Sequence, residues 1–175
     1  MTRAHYFAFG SNMLSARLLA RTDSALPRGL VRLPGWRLAF HKRGADGSGK
    51  CDIYPGSPGD YVLGVIYDIA AGQLPDLDRF EGSGYRRTLI DVTYGDRVLP
   101  CATYRAVEGF IDPSLRPFDW YHRLVVTGLI EHGADAGYLD SVRGMHCISD
   151  PDVRRPERRQ ALAALARFSE HVMQR

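Results

Sequence analysis

Strand-like segments crowd the first 108 residues of the chain and helical ones fill the rest, and this split limits the architectures open to it. "HYFAF" (5–9) is short and rich in aromatics, the pattern of a buried strand. "GLVRLPGWRLAFHKR" (29–43) reads as two strand pieces broken at Pro34-Gly35, and "VLGVIYDI" (62–69) as a buried strand. "YRRTLIDVTYG" and "RVLPCATYRAV" alternate apolar and polar residues about Gly95-Asp96, which predicts a hairpin. Between them, "GADGSGKCDIYPGSPGDY" (44–61) is so rich in Gly, Ser, Asp and Pro that most of it is expected to be loop. Two short helices are predicted in this half, at "SNMLSARLLAR" and at "AAGQLPDLDRFEG", the second ending at Gly82. The other half offers "FDWYHRLVVTGLIEHG", "AGYLDSVRG" and a C-terminal helix at about 155–174 with Pro156 in its first turn. Hairpins in place of regular crossover helices predict an α+β fold: a small mixed, mostly antiparallel β-barrel with flanking helices. No linker, repeat or low-complexity stretch divides residues 1–175, so one domain is expected.

Bulk properties exclude several classes of function. A net charge of +3 does not by itself argue for nucleic acid. That charge is nearly all arginine, since Lys42 and Lys50 are the only lysines. Cys51, Cys101 and Cys147 are odd in number and lack a CxxC pair, which argues against a disulfide scaffold or a zinc site and fits a reducing cytoplasm. The histidines show no HxH, HxxxH or HExxH spacing, so no metal is expected. The first residues lack the apolar core of a signal peptide, and no apolar run approaches the ~20 residues of a membrane span.

Three local patterns carry less than they suggest. "GADGSGKC" (44–51) nearly matches a phosphate loop, but its last position is a cysteine and "DIYPGSPGD" after it cannot open a helix. In "MHC" (145–147), neighbouring side chains on an extended chain point to opposite sides, so the histidine and thiol need not meet; a partly buried Cys147 is the plainer reading. "RRPERR" (154–159) reads as a solvated helix start.

Chemistry is concentrated elsewhere. "HYFAFGSNM" (5–13) ends an aromatic strand on three small polar residues and turns at once toward a helix, a place where backbone N–H groups can meet an anion. Glu81 falls at the C-terminal end of its predicted helix, where the dipole is negative. With Phe80 and Tyr85 nearby in sequence, its pKa is expected to rise, as suits a residue that shuttles protons near neutral pH. A surface glutamate at a helix end is the plainer alternative.

"YFAFGSNM" resembles the YFAYGSNL/M signature of the γ-glutamylcyclotransferase family, which includes the γ-glutamylamine cyclotransferases and AIG2-like proteins. "SPGDYVLGVIYDI" (57–69), "LPDLDRFEG" (74–82), "CATYRA" (101–106) and "WYHRLVVTGLIEHGADAGYLDSV" (120–142) are similar to later family blocks, in the same order. The resemblance implies a small barrel-like fold and a cofactor-free cyclisation of a small γ-glutamyl compound. In that reaction the α-amino group attacks the γ-carbonyl and releases 5-oxoproline with an amino acid or amine. By family position Glu81 is the general base and then the general acid. Phe9, Gly10, Ser11, Asn12 and Met13 form the substrate loop, whose N–H groups hold either the oxyanion or the α-carboxylate. Tyr85, Tyr104 and Tyr121 line the pocket. Neither nucleic acid nor a membrane is implied as a partner, and a homodimer is left open. Deprotection of a carrier-bound or amine conjugate, or a non-catalytic module binding an anionic metabolite, stand as alternatives. The chain departs from the family at Phe9, where tyrosine is usual, and it lacks the YGSL-type loop of the glutathione-specific relatives.

Overall fold

The computed structural model describes residues 2–174. Strand β1 (Arg3–Ala8) leads through a 3-10 turn (Ser11–Met13) into α1 (Ser15–Leu19). Then come β2 (Leu26–Pro34), β3 (Trp36–Arg43), β4 (Gly49–Pro55), β5 (Tyr61–Ala70), α2 (Leu74–Glu81), β6 (Tyr85–Tyr94) and β7 (Arg97–Ala106). Helices α3 (Asp119–Glu131), α4 (Ala136–Arg143) and α5 (Pro156–Met173) complete the chain. No helix is long and apolar enough to cross a membrane.

Five strands form one sheet in the order β2-β5-β1-β7-β6, and β3 and β4 form a separate hairpin. Only the β1–β7 pair is parallel, so the mixed, mostly antiparallel sheet is as the sequence predicts. The strands β1 and β5 lie in its middle. Tyr6, Phe7 and Ala8, and Val62, Val65, Ile66 and Tyr67, are buried whichever way they point, which is why both strands read as unbroken apolar runs.

Two expectations need correction. The barrel does not close: the outer strands β2 and β6 share no backbone ladder, although the Tyr94 hydroxyl reaches across to donate to the Arg28 carbonyl at 3.0 Å. β2 carries Pro27, which has no N–H, and a bulge between Pro27 and Gly29, both features of an open edge. The second concerns 44–61, most of which is loop as expected, but with a strand inside it. Gly49–Pro55 is a strand, buried at Gly49, Cys51, Asp52 and Ile53, because pairing with β3 overrides its weak local preference. Residues 44–48 and 56–60 are loop, and Asp46 organises the first, the turn of the hairpin, by accepting from the Ser48 N–H (3.0 Å) and hydroxyl (2.9 Å).

Helix α3 clamps the segment after β1. The Met13 carbonyl accepts from the Tyr67 hydroxyl at 2.6 Å and lies 3.0 Å from His132 Nε2, while the Ser15 N–H donates to Glu131 Oε2 at 2.8 Å. The approach is close because residue 128 is glycine: a Cβ there would lie 2.7 Å from the Leu14 nitrogen and from Met13 Cβ. A glycine in a helix interior ordinarily costs about 1 kcal/mol relative to alanine. Here the sign reverses. Gly128→Ala is expected to destabilise by about 1–3 kcal/mol through overpacking, and so to lower Tm by roughly 3–10 °C. A thermal melt that stays level or rises contradicts this account of the clamp.

Candidate active site

The site grows from two chain ends that the fold brings together. The first is the exit of β1. The chain passes Phe9 and Gly10 and tightens into the 3-10 turn, which breaks at Leu14 before a helix of only five residues. The expected single helix is therefore two short pieces, and the loop offers individual N–H groups without a long helix dipole behind them. Among the described residues, the N–H groups of Gly10, Ser11 and Asn12 donate to no side chain and to no turn or loop carbonyl. Gly10 packs so closely that a Cβ would lie 2.9 Å from Cys51 Cβ.

The second is the end of α2. Glu81 is its last residue, and Gly82 at φ 71° turns the chain away. Asp78, one turn earlier, pins this end to the sheet: it accepts from the Tyr104 hydroxyl at 2.7 Å and pairs with Arg87 at 3.2 Å. The carboxylate of Glu81 then meets the loop. Its Oε1 accepts from Asn12 Nδ2 at 2.8 Å and from Arg21 Nη1 at 3.1 Å, while Oε2 accepts from no described residue. Asn12 also donates to the Tyr6 hydroxyl (2.9 Å) and accepts from Arg21 (3.0 Å). The neighbours of Glu81 are therefore donors more than aromatic surface. Phe80 is 56% exposed and turns its ring toward Arg21.

Two connected cavities open here. A recess of about 30 Å³ is lined by the loop residues Phe9, Gly10, Ser11 and Asn12 and by Glu81, Tyr85, Tyr104 and Tyr121, with Tyr6 and Cys51. A cavity of about 390 Å³ shares Ser11, Glu81, Tyr85 and Tyr121 with it and adds Arg17, Arg21, Lys42 and Lys50. Every residue expected at the site from the sequence borders the recess except Met13. That side chain is fully buried in the core, because α3 holds the Met13 backbone from behind.

The tyrosines are less free than the sequence suggests. Tyr85 donates to the Cys51 carbonyl, Tyr121 accepts from the Cys51 N–H at 3.2 Å, and Tyr104 is committed to Asp78. Burial raises all three well above the ordinary tyrosine value, as it does Tyr6. They act as fixed walls and neutral hydroxyls.

Sequence reading missed Tyr6, Arg17, Arg21, Lys42 and Lys50. Tyr6 stood inside the quoted motif, and Arg17 and Arg21 are four residues apart, the spacing of one helix face. Arg17 Nε donates to Ser11 Oγ at 3.1 Å, its one hydrogen bond among the described residues. Burial lowers it to about 10, still charged near neutrality.

The comparisons can now be set beside this geometry. The family model described as "Gamma-glutamyl cyclotransferase, AIG2-like" matches residues 6–121, which contain every residue of the recess. The chain is similar to the gamma-glutamylcyclotransferase of Bos taurus, 31% identical over 140 residues, 76% of this chain and 73% of that protein. It is similar also to that of Homo sapiens, 29% identical over 150 residues, 80% and 77% of the two chains. A solved structure titled "Gamma-glutamyl cyclotransferase" superposes with a TM-score of 0.82 at 24% identity, over 93% of this chain and 99% of that one, and so shares the fold.

Cys51 borders the recess and raises the question of a thiol nucleophile. Burial, together with the nearby charges of Asp52 and Glu81, pushes the thiol far above its usual range, so the reactive thiolate is not available there. Cys101 is pushed up to about 11 by burial and by Asp68 and Asp91. Iodoacetamide at about pH 8 is expected to label the half-buried Cys147 in the native protein and to reach the other two only after denaturation. Native labelling of Cys51, read by peptide mass spectrometry, would show a reactive thiol in the site.

Proposed function

The chain belongs to the gamma-glutamyl cyclotransferase, AIG2-like family, and on that premise we propose that it releases 5-oxoproline from γ-glutamyl compounds, with Glu81 moving the protons. The observation that carries this reading is Glu81 Oε2, which has no partner among the described residues, beside an oxygen already fixed by Asn12 and Arg21 and in a cavity shared with the loop residues Gly10, Ser11 and Asn12.

The steps follow from ordinary acid–base chemistry. The substrate's α-ammonium cannot attack until it loses a proton, and Glu81 Oε2 takes it. The freed amine nitrogen bonds to the γ-carbonyl carbon and closes a five-membered ring, and the carbonyl oxygen becomes an oxyanion. As the oxyanion re-forms the carbonyl, the carbon–nitrogen bond to the leaving amine breaks and Glu81 returns its proton to that nitrogen; the surplus proton of the ring nitrogen passes to the released amine, which departs as an ammonium. The products are 5-oxoproline and a free amine or amino acid, with one carboxyl group having served as base and then as acid.

Size and charge support one division of the two roles that the sequence leaves open. The recess is the smaller of the two cavities, about 30 Å³, and is bordered by Gly10, Ser11 and Asn12, so their N–H groups are our choice for the oxyanion. The α-carboxylate goes to Arg17, whose planar fork faces the larger cavity with most of its donors uncommitted. Tyr85 and Tyr121 hold the Cys51 backbone in place as the wall opposite Gly10.

Glu81→Gln keeps the shape of the side chain and removes its ability to take a proton. It is expected to lower kcat for 5-oxoproline release by about 10²–10⁴, the usual worth of general acid–base catalysis, with an unchanged thermal melt. Turnover within a fewfold of the unsubstituted protein would remove Glu81 from the mechanism.

A further inference from the structure

The charge of the larger cavity exceeds what cyclisation requires. Arg17, Arg21, Lys42, Arg43 and Lys50 line it against Asp46, Glu81 and Glu157. Most of these cations have partners: Arg21 pairs with Glu81, Lys50 with Asp46 at 2.6 Å, and Arg43 with Asp112 at 3.0 Å. Lys42 does not. It is 7% exposed, and among the described residues its ammonium forms neither an ion pair nor a hydrogen bond. It lies 4.3 Å from the centroid of the Tyr85 ring and borders the cavity.

Three further observations set Lys42 apart from an incidental buried lysine. The β3–β4 register places Lys42 directly opposite Lys50, and like charges facing each other across a strand pair destabilise it. The space at its tip depends on a glycine: a Cβ on Gly84 would lie 2.6 Å from Lys42 Cε and 2.8 Å from Nζ. Finally, these are the only two lysines in a chain that otherwise uses arginine for basic side chains, and both line this cavity. Burial pulls the Lys42 ammonium below the usual lysine value, while Glu81 and Asp46 act to hold it up.

We propose that Lys42 determines specificity by binding an anionic group on the departing half of the substrate, so that the chain acts on γ-glutamyl amino acids in preference to γ-glutamyl amines. This rests on the cyclotransferase reading and adds to it the end of the substrate that the reaction releases. The α-carboxylate has Arg17 and the carbonyl oxygen has the loop. A buried ammonium without an ion pair on the wall of the same cavity calls for a second carboxylate, and the free amino acid leaving group carries one. A simple amine leaving group would leave Lys42 with only the ring faces of Tyr85 and Phe110 and the more distant charges of Glu81 and Asp46.

γ-Glutamylalanine and γ-glutamylethylamide differ only by that carboxylate. The unsubstituted protein is expected to show a kcat/KM at least about 10-fold higher for the alanine compound, the worth of one charge-assisted hydrogen bond. Lys42→Met is expected to lower kcat/KM for γ-glutamylalanine about 10–100-fold, chiefly through KM, and to collapse the ratio between the two substrates. Equal activity on both substrates overturns the proposal, and so does an equal loss on both in a variant that melts normally. If Lys42→Met melts early, Gly84→Ala crowds the ammonium without removing it, and an unchanged substrate ratio in that folded variant overturns the proposal as well. Absence of 5-oxoproline from either substrate in the unsubstituted protein is a different failure, because it removes the cyclotransferase reading itself.

Discussion

The side chain of Asn12 is the joint on which the site depends. One amide nitrogen donates to both the Tyr6 hydroxyl and Glu81 Oε1, and the amide oxygen accepts from Arg21. In a single group it ties the first strand, the loop, Arg21 just beyond α1 and the last residue of α2. At 4% exposure its hydrogen bonds are made away from bulk water, where an unsatisfied donor is costly and a satisfied network is rigid. The loop N–H groups and the Glu81 carboxylate sit on elements with no backbone ladder between them. Their separation is therefore set by this amide together with the α3 clamp on Met13.

The position of Glu81 follows from competing local terms. A carboxylate at the C-terminus of a helix meets the negative end of the dipole, at a cost of about 0.3–1 kcal/mol. Arg21 supplies the opposite charge at 3.1 Å, and because both side chains are largely shielded from solvent, salt screens the pair less than it would a surface pair. The arginine also fixes which oxygen is occupied. With Oε1 held by two donors, Oε2 is left without a partner among the described residues, as the proposed proton transfer requires. A carboxylate without such anchoring would have to lose rotamer freedom at the moment of reaction. Here that ordering is part of the fold.

Much of this was legible in the sequence, and what was not has identifiable physical causes. Strand and helix positions followed from period and punctuation, and Glu81 and the loop stood out as an acid at a helix end and a strand ending on Gly-Ser-Asn. Gly49–Pro55 was unreadable because glycine and proline signal a turn locally, whereas β3 supplies its hydrogen bonds from outside the segment. The open edge between β2 and β6 was hidden for a similar reason, since closure is decided by register and bulges that no local pattern encodes. Met13 sits within the motif yet faces the core, because the 3-10 turn sends its three successive side chains about a third of a turn apart, so they cannot all face the recess. Arg17, Arg21 and Lys42 went unread because a basic residue in sequence looks the same whether it is solvated or turned into a cavity. Only the scarcity of lysine offered a hint.

That scarcity has a physical reading. The chain tolerates two lysines opposite each other on a hairpin, a local arrangement that costs stability, at the one place where both reach the cavity. Sequences break local rules chiefly at functional sites, where a compensating gain lies outside the folded chain itself. The choice of lysine over arginine carries its own logic. An arginine grips a carboxylate with two parallel hydrogen bonds in a fixed plane, which suits the half of the substrate that must be held still while the ring closes. A lysine offers a point charge on a flexible stem, and a group held that way can turn and depart once the bond behind it is broken. On this proposal Arg17, beside the loop, holds the part of the substrate to be fixed, and Lys42, against the Tyr85 ring, the part to be released.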